Sequence, residues 1–305
     1  MNQTTENLLK IIAEHFGEFK GAYNIRENGG CAARQSSEHI KILPKDDGSG
    51  IEIRIADNTV GETVFIPACI THSGVNDLVY NYFYVGENSD VIIVAGCGVH
   101  SEGEEDSQHN GIHRFFLAKN AKVLYQEKHI GTGNGTGAKN INPTTDIYLD
   151  EGSQLTMDSV QLGGVDSTDR KTTANLKENA KLVVRERILT DGDQKAITDF
   201  VVTLDGNGSG ADLISRSVAR GNSVQSFRSN MVGNADCTGH SECDAILDGN
   251  ACVTASPALV ANDLDAQLIH EAAIGKIAGE QLLKLRTLGL SQEEAEERII
   301  AGFLA

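Results

Sequence analysis

The sequence predicts a mainly β protein: a β-helix, or solenoid, flanked by helical segments at its two ends. Three observations carry that prediction. The first is a recurring phrase of Asn or Gly, a small residue, a polar residue and an aliphatic strand start. It reads Asn88-Ser-Asp-Val91, Asn120-Ala-Lys-Val123, Gly152-Ser-Gln-Leu155 and Asn179-Ala-Lys-Leu182, at steps of 32, 32 and 27 residues. Looser copies begin at Asn207, Asn222 and Asn250. A repeat of this length marks a solenoid, because one unit cannot bury its apolar face without a neighbour stacked on it. The second is local pattern. From about residue 50 to 270 short runs rich in Val, Ile and Thr alternate with period two, which is strand spacing. Asn and Gly punctuate them and suit corners that need left-handed backbone. The third is composition: 32 Gly, 5% aromatics and no Trp fit a narrow core of stacked aliphatics. An ordinary β-sandwich is the alternative.

The elements follow in order. Thr5 to Phe19 carries Leu8, Leu9, Ile11, Ile12, Phe16 and Phe19 at helical spacing, with Thr4 or Thr5 as the expected N-cap. Gly29-Gly30 ends that region, and residues 1–49 are read as a helical segment and lead-in. Residues 50–271 form the expected β-helix core, and residues 272–305 a C-terminal helical region. There Ile277, Gln281, Leu282 and Leu285 share one face of a first helix that stops near Gly289. Ser291-x-x-Glu294 is a capping-box sequence and opens a second helix through Ile299 and Ile300. Such a pair either caps one end of the solenoid or docks a partner.

Charge narrows the function classes. Lys+Arg is 26 and Asp+Glu is 43, a net charge of −17, which disfavours nucleic acid and anionic membranes. The longest apolar run, Val91 to Ala95, is far short of a membrane span. Met1 to Lys20 shows no export signal, so a soluble cytoplasmic protein is expected. The Asn-x-Ser/Thr triplets at Asn134 and Asn207 are then chance matches. The six cysteines, Cys31, Cys69, Cys97, Cys237, Cys243 and Cys252, are expected as free thiols, mostly small buried hydrophobes.

Most catalytic motifs are missing. There is no P-loop, no G-x-S-x-G elbow and no H-E-x-x-H helix. Gly131 to Gly137 is glycine-rich without a nucleotide fingerprint. Asp205-x-Asn207-x-Ser209-Gly210 begins like a calcium loop but has Arg216 where a bidentate Glu is needed. The informative stretch is Asp236-Cys237-Thr-Gly-His240-Ser-Glu242-Cys243-Asp244, whose thiols and imidazole suit Fe, Zn or Cu. Leu264 to Glu271 alternates like a strand with Leu264, Ala266, Leu268 and His270 on one side. Glu271 follows Cys243 by 28 residues, one repeat, so thiolate and carboxylate are expected to meet at the last turn. His270 is expected on the other side of that strand. A buried Cys beside a solvated Glu is the plainer reading.

Gly239-His240-Ser-Glu-Cys243-Asp-Ala-Ile-Leu, Ser256-Pro257, His270-Glu271-Ala272 and Gly275-Lys276-Ile277-x-x-Glu280-Gln281-Leu282 resemble the C-terminal core of the SufB/SufD family. So does Leu288-Gly-Leu-Ser291-x-Glu-Glu-Ala295 through Gly302-Phe303, with a weaker match back to Val94-Ala-Gly-Cys97. The resemblance implies a right-handed parallel β-helix and a non-enzymatic scaffold in SUF iron–sulfur cluster assembly. It implies a SufC-like ABC-type ATPase docked on the C-terminal helices, through Lys276, Ile277, Gln281, Leu282, Leu285, Ile299 and Phe303. A transient iron–sulfur cluster would be built at Cys243 and Glu271 with His270, with Cys237 and His240 as lesser candidates. Cys97 would receive or relay sulfur from a donor, and apo iron–sulfur proteins would take the product. Cys243 with Glu271 makes the chain SufB-like, His129 stands near a position where SufB has Gln, and the short chain implies a minimal system with a homodimer through the C-terminal end of the solenoid. The competing classes are a β-helix polysaccharide-active enzyme and a structural solenoid adaptor.

Overall fold

Apolar residues alternate with polar ones along nearly every strand, and the alternation turns the apolar set into a common interior. The computed structural model describes residues 2–14, 19–161 and 163–304. Strands dominate it, wound into a β-solenoid of about eight turns as two ten-stranded sheets. One sheet stacks Val60–Ile70, Asp90–His100, Lys122–Thr132, Gln154–Gln161, Lys181–Thr190, Gly210–Ala219, Thr238–Leu247 and Gln267–Gly275. Their pairings with one another are all parallel, and each sheet begins with one antiparallel hairpin, Ala22–Glu27 with Gly30–Gln35 in this sheet and Ile40–Pro44 with Gly50–Ile55 in the facing one. Strand structure therefore begins at Ala22, within the expected lead-in.

The corners behave as their composition requires. Asn88, Asn120 and Asn179 hold left-handed backbone at φ 56, 58 and 56°. Asn120 Nδ2 donates to Asn88 Oδ1 at 3.1 Å, so the corner residues also bond from turn to turn. In later turns Gly208, Gly221 and Gly249 take that backbone, one residue away from Asn207, Asn222 and Asn250. The Asn column persists beside them, Asn250 Nδ2 donating to Asn222 Oδ1.

Inside, aliphatic residues stack turn upon turn, joined by Phe83 on Phe115 with rings 4.4 Å apart and 8° from parallel. A second aromatic column lies outside. Tyr84, Phe116 and Tyr148 stack face to face at 5.1 and 5.0 Å beside a surface groove of about 570 Å³.

Helix α1 (Gln3–Ile12) is capped by Asn2, whose Oδ1 accepts from the Thr5 backbone N–H, and not by Thr4 or Thr5. An amide oxygen one turn earlier reaches that donor, which leaves Thr5 buried inside the helix. The expected extension through Phe16 falls on residues 15–18, outside the described residues, and Phe19 is not helical. Leu8, Leu9 and Ile12 pack with Ile25 and Cys69 over strand Asp90–His100, where Gly96 and Gly98 form the floor. A Cβ on Gly98 would stand 2.8 Å from the Leu8 side chain, too close for any larger residue.

At the other end come α2 (Gly279–Thr287) and α3 (Gln292–Phe303). The capping box at Ser291 and Glu294 is formed in both directions. Ile277 precedes α2 rather than lying on it. The pair does not cap the solenoid: it leans on the side, through Arg220 to Glu297 at 2.6 Å and a cleft between Ile246–Gly249 and Ile300. The last turn is left open, with Leu259, Val260, Ile269 and Ile274 all exposed.

Candidate functional site

Strand register gives the columns of side chains that face the lumen. One column of the first sheet runs Ala95, Glu127, Ser159, Glu186, Ser215, Cys243, Ala272. Its neighbour runs Cys97, His129, Gln161, Ile188, Ser217, Ala245. Cys97 and Cys243 thus face one interior, separated along the axis by roughly 24 Å at about 4.8 Å per strand step.

Between the two thiols the lumen is charged. His113 Nδ1–H donates to the Tyr125 hydroxyl at 3.0 Å, which donates to Glu127 Oε1 at 2.9 Å. Arg170 donates to Glu127 Oε2 at 2.8 Å and reaches Glu186 Oε1 with Nε at 3.1 Å. It also donates to His129 Nδ1 at 3.2 Å, which directs the other imidazole nitrogen of His129 to Glu127 at 3.4 Å. Thr198 and Ser215 hydroxyls, both at 3.0 Å, complete the Glu186 carboxylate. All these side chains are buried, and such charges persist in a low-dielectric interior only when paired.

Burial and pairing set the protonation states. Burial raises the Glu127 carboxyl, but His129 and Arg170 outweigh it and hold the group well below the usual carboxylate range. For Glu186 burial wins over Arg170 and its two hydroxyl donors, and the group lies above that range. Burial pulls His113 down to about 4. Cys97, buried beside Cys69, Asp77 and Glu127, is pushed well above the ordinary thiol value. A small cavity of about 20 Å³ adjoins it, lined by His109, His113, Glu127 and His129 among others, enough for one water-sized group.

At the open end the expected site divides in two. The step from Thr238 to Gln267 is 29 residues, not 28, so Cys243 stands opposite Ala272 and Glu271 opposite Glu242. Cys243 points inward, 1% exposed, and burial pushes its thiol up to about 12. His270, opposite Ser241, turns to the lumen side with Cys243, and its Nδ1 is buried without a hydrogen-bond partner. Glu271 points to solvent, where His240 Nε2 lies 3.6 Å from it. The structure therefore brings Cys243 and His270 to one side and Glu271 and His240 to the other. Cys237 is 1% exposed and belongs to the apolar core.

Of the helical candidates, Lys276, Ile277, Gln281, Ile299 and Phe303 line one surface depression of about 790 Å³ with the end of strand Gln267–Gly275. Leu282 lies in the adjoining cleft with Ile300. Leu285 is half-buried on α2.

Sequence reasoning missed Glu127, Arg170, Glu186, His109 and His113. Their signal was a charged residue at an inward position of an alternating strand, as in Val123-Leu-Tyr-Gln-Glu127. The aromatic column was legible too, as Tyr84, Phe116 and Tyr148 recur at 32-residue steps.

Comparison with known proteins gives the family. The family model for the SUF system FeS cluster assembly SufBD core domain matches residues 71–303. An iron–sulfur cluster assembly SufBD family protein of Archaeoglobus fulgidus is 30% identical over 282 residues, 89% of this chain and 72% of that protein. One from Pyrococcus horikoshii is 30% identical over 276 residues, covering 87% and 81%. One from Methanothermobacter thermautotrophicus is 30% identical over 230 residues, 74% of this chain, which spans 55% of that longer protein. The chain belongs to the SufBD family.

Proposed function

We propose that this SufBD-family chain is a non-enzymatic scaffold on which a nascent iron–sulfur cluster is assembled and then released to apo-proteins. One observation carries the reading: two buried cysteines, Cys97 and Cys243, face one interior with a network of buried charged side chains between them. Cys97 would take the outer sulfur of a donor persulfide, whose thiolate leaves, and the polar side chains of His129, Glu127, Arg170, Glu186 and Ser215 stand between it and Cys243. Cys243, with His270 beside it, is the group that would hold the first iron, and Glu271 supplies a carboxylate at the rim. Iron and cluster are cargo here.

A thiol held near 12 is protonated at neutral pH, and the thiolate is the metal ligand. A cation bound at the sulfur lowers that barrier. The exposed edge of Cys252–Ala261 and Gln267–Gly275 is the natural seat for a second copy, since an uncovered strand edge invites pairing. A SufC-like ATPase on Lys276, Ile277, Gln281, Leu282, Leu285, Ile299 and Phe303 would move one copy against the other, a rigid-body switch. No helix among the described residues is long and apolar enough to cross a membrane, and a cytoplasmic setting suits free thiols.

Anaerobic reconstitution with ferrous iron and sulfide tests the reading. The parent chain should retain both and show thiolate-to-iron absorption. Cys243→Ser should abolish retention, and Glu271→Ala should weaken it less, with circular dichroism unchanged. Retention equal to the parent in both variants refutes the assignment. Deletion of residues 276–305 should abolish capture of a SufC-type ATPase. Capture by the folded, truncated chain would move the docking site elsewhere.

A further inference from the structure

The outer face of the last turns carries a second constellation, which shares Glu271 with the assembly site but does not rest on that reading. Alternation sends Asp212, His240, Glu242 and Glu271 to the solvent side of the sheet, opposite to Cys243. His240 stands beside Asp212 in one column, and Glu242 beside Glu271 in the next. One ligand atom each from His240, Glu242 and Glu271 lie within 4.8 Å of one another. We propose that His240, Glu242 and Glu271 form a site for a divalent first-row transition-metal ion, on the outside of the solenoid and without a thiolate ligand.

Three features support this. His240 Nδ1–H donates to Asp212 Oδ1 at 2.8 Å, which orients the ring and aims Nε2 at Glu271, 3.6 Å away. A carboxylate commonly stands behind a metal-binding imidazole and orients it, and a proton or a cation belongs between Nε2 and Glu271. Next, Glu242 and Glu271 are directly opposed on adjacent strands, where like charges repel. Arg216 approaches Glu242 only to 3.7 Å, and the one ion-pair partner of Glu271 among the described residues is His240. A cation bound by both carboxylates relieves that repulsion. Finally, one imidazole and two carboxylates form a borderline-to-hard donor set suited to Fe²⁺, Mn²⁺, Co²⁺ or Zn²⁺, with positions left open for water or an incoming ligand. Cys243 cannot join without rearrangement, because its side chain leaves the other side of the same strand.

Cobalt is the probe. The full apo chain is titrated anaerobically with Co²⁺, with visible absorption and equilibrium dialysis as readouts. At the outer site one ion with weak ligand-field bands is expected. His240→Ala and Glu242→Gln should abolish stoichiometric binding, and Asp212→Asn should weaken it about 10–100-fold, as loss of such an orienting partner does. Glu52→Gln, on the facing sheet, should leave binding unchanged. The side chains replaced at the site reach solvent, so circular dichroism should show all these variants folded. Absence of stoichiometric binding by the parent, or binding indifferent to His240→Ala and Glu242→Gln, would each overturn the proposal.

Discussion

The charged groups in the middle of the lumen and the polar groups at its open end are held differently. In the middle, Glu127, Arg170 and Glu186 are buried and every carboxylate oxygen has a donor or a cation against it. At the end, His270 keeps an orphaned Nδ1, Cys243 is a protonated thiol, and the last strands are bare. A satisfied buried network is rigid and specifies one arrangement. The interior thus pairs its charged groups in the middle and leaves the His270 imidazole without that pairing at the end.

The largest effect should come from breaking the middle. Arg170→Met strands two buried carboxylates, and removing one member of such a network costs about 3–5 kcal/mol. Urea unfolding of the variant measures it. By contrast Cys243→Ser at the end should cost only about 1 kcal/mol, a common single-site penalty, so the ratio of the two sharpens the contrast. Equal costs would erase it.

Acid should act on the middle next. His113 has a folded-state value of about 4 against 6.5 for the free group, so the unfolded chain takes up its proton first as pH falls. The stability tied to neutral His113 is complete above about 6.5 and is lost down to about 4, on the order of 3 kcal/mol. His129, lowered by burial, acts in the same direction. Glu186, raised by burial, works against them at lower pH. Unfolding free energies between pH 7.5 and 4 should fall in the parent and fall less in His113→Phe. Parallel curves for the two would take His113 out of the account.

The smallest effects separate two cysteines near the N terminus. Cys69 is buried under α1, and Cys31 is exposed. Cys69→Ala should cost about 1 kcal/mol and Cys31→Ala less than about 0.5 kcal/mol. Thermal melts of the two variants compare them directly.

Much of this molecule is written locally. Asn88, Asn120 and Asn179 announce corners because few other residues accept left-handed backbone without strain. Ser291 and Glu294 announce a helix start because their side chains reach the backbone within one turn. Family motifs around Cys243 and His270 are equally plain. Sequence alone therefore determined the solenoid, its terminal helices and its lineage. What it did not decide is which side each chemical group faces. Strand side chains alternate, so one residue of register moves a group through the wall. The 29-residue step between Thr238 and Gln267 placed Cys243 and His270 within and Glu271 without, where a 28-residue repeat would have paired thiol with carboxylate. Tertiary stacking also gathered Glu127, Arg170 and Glu186 from three strands into one buried network. No local pattern encodes that meeting, because it depends on how two sheets close around a common lumen.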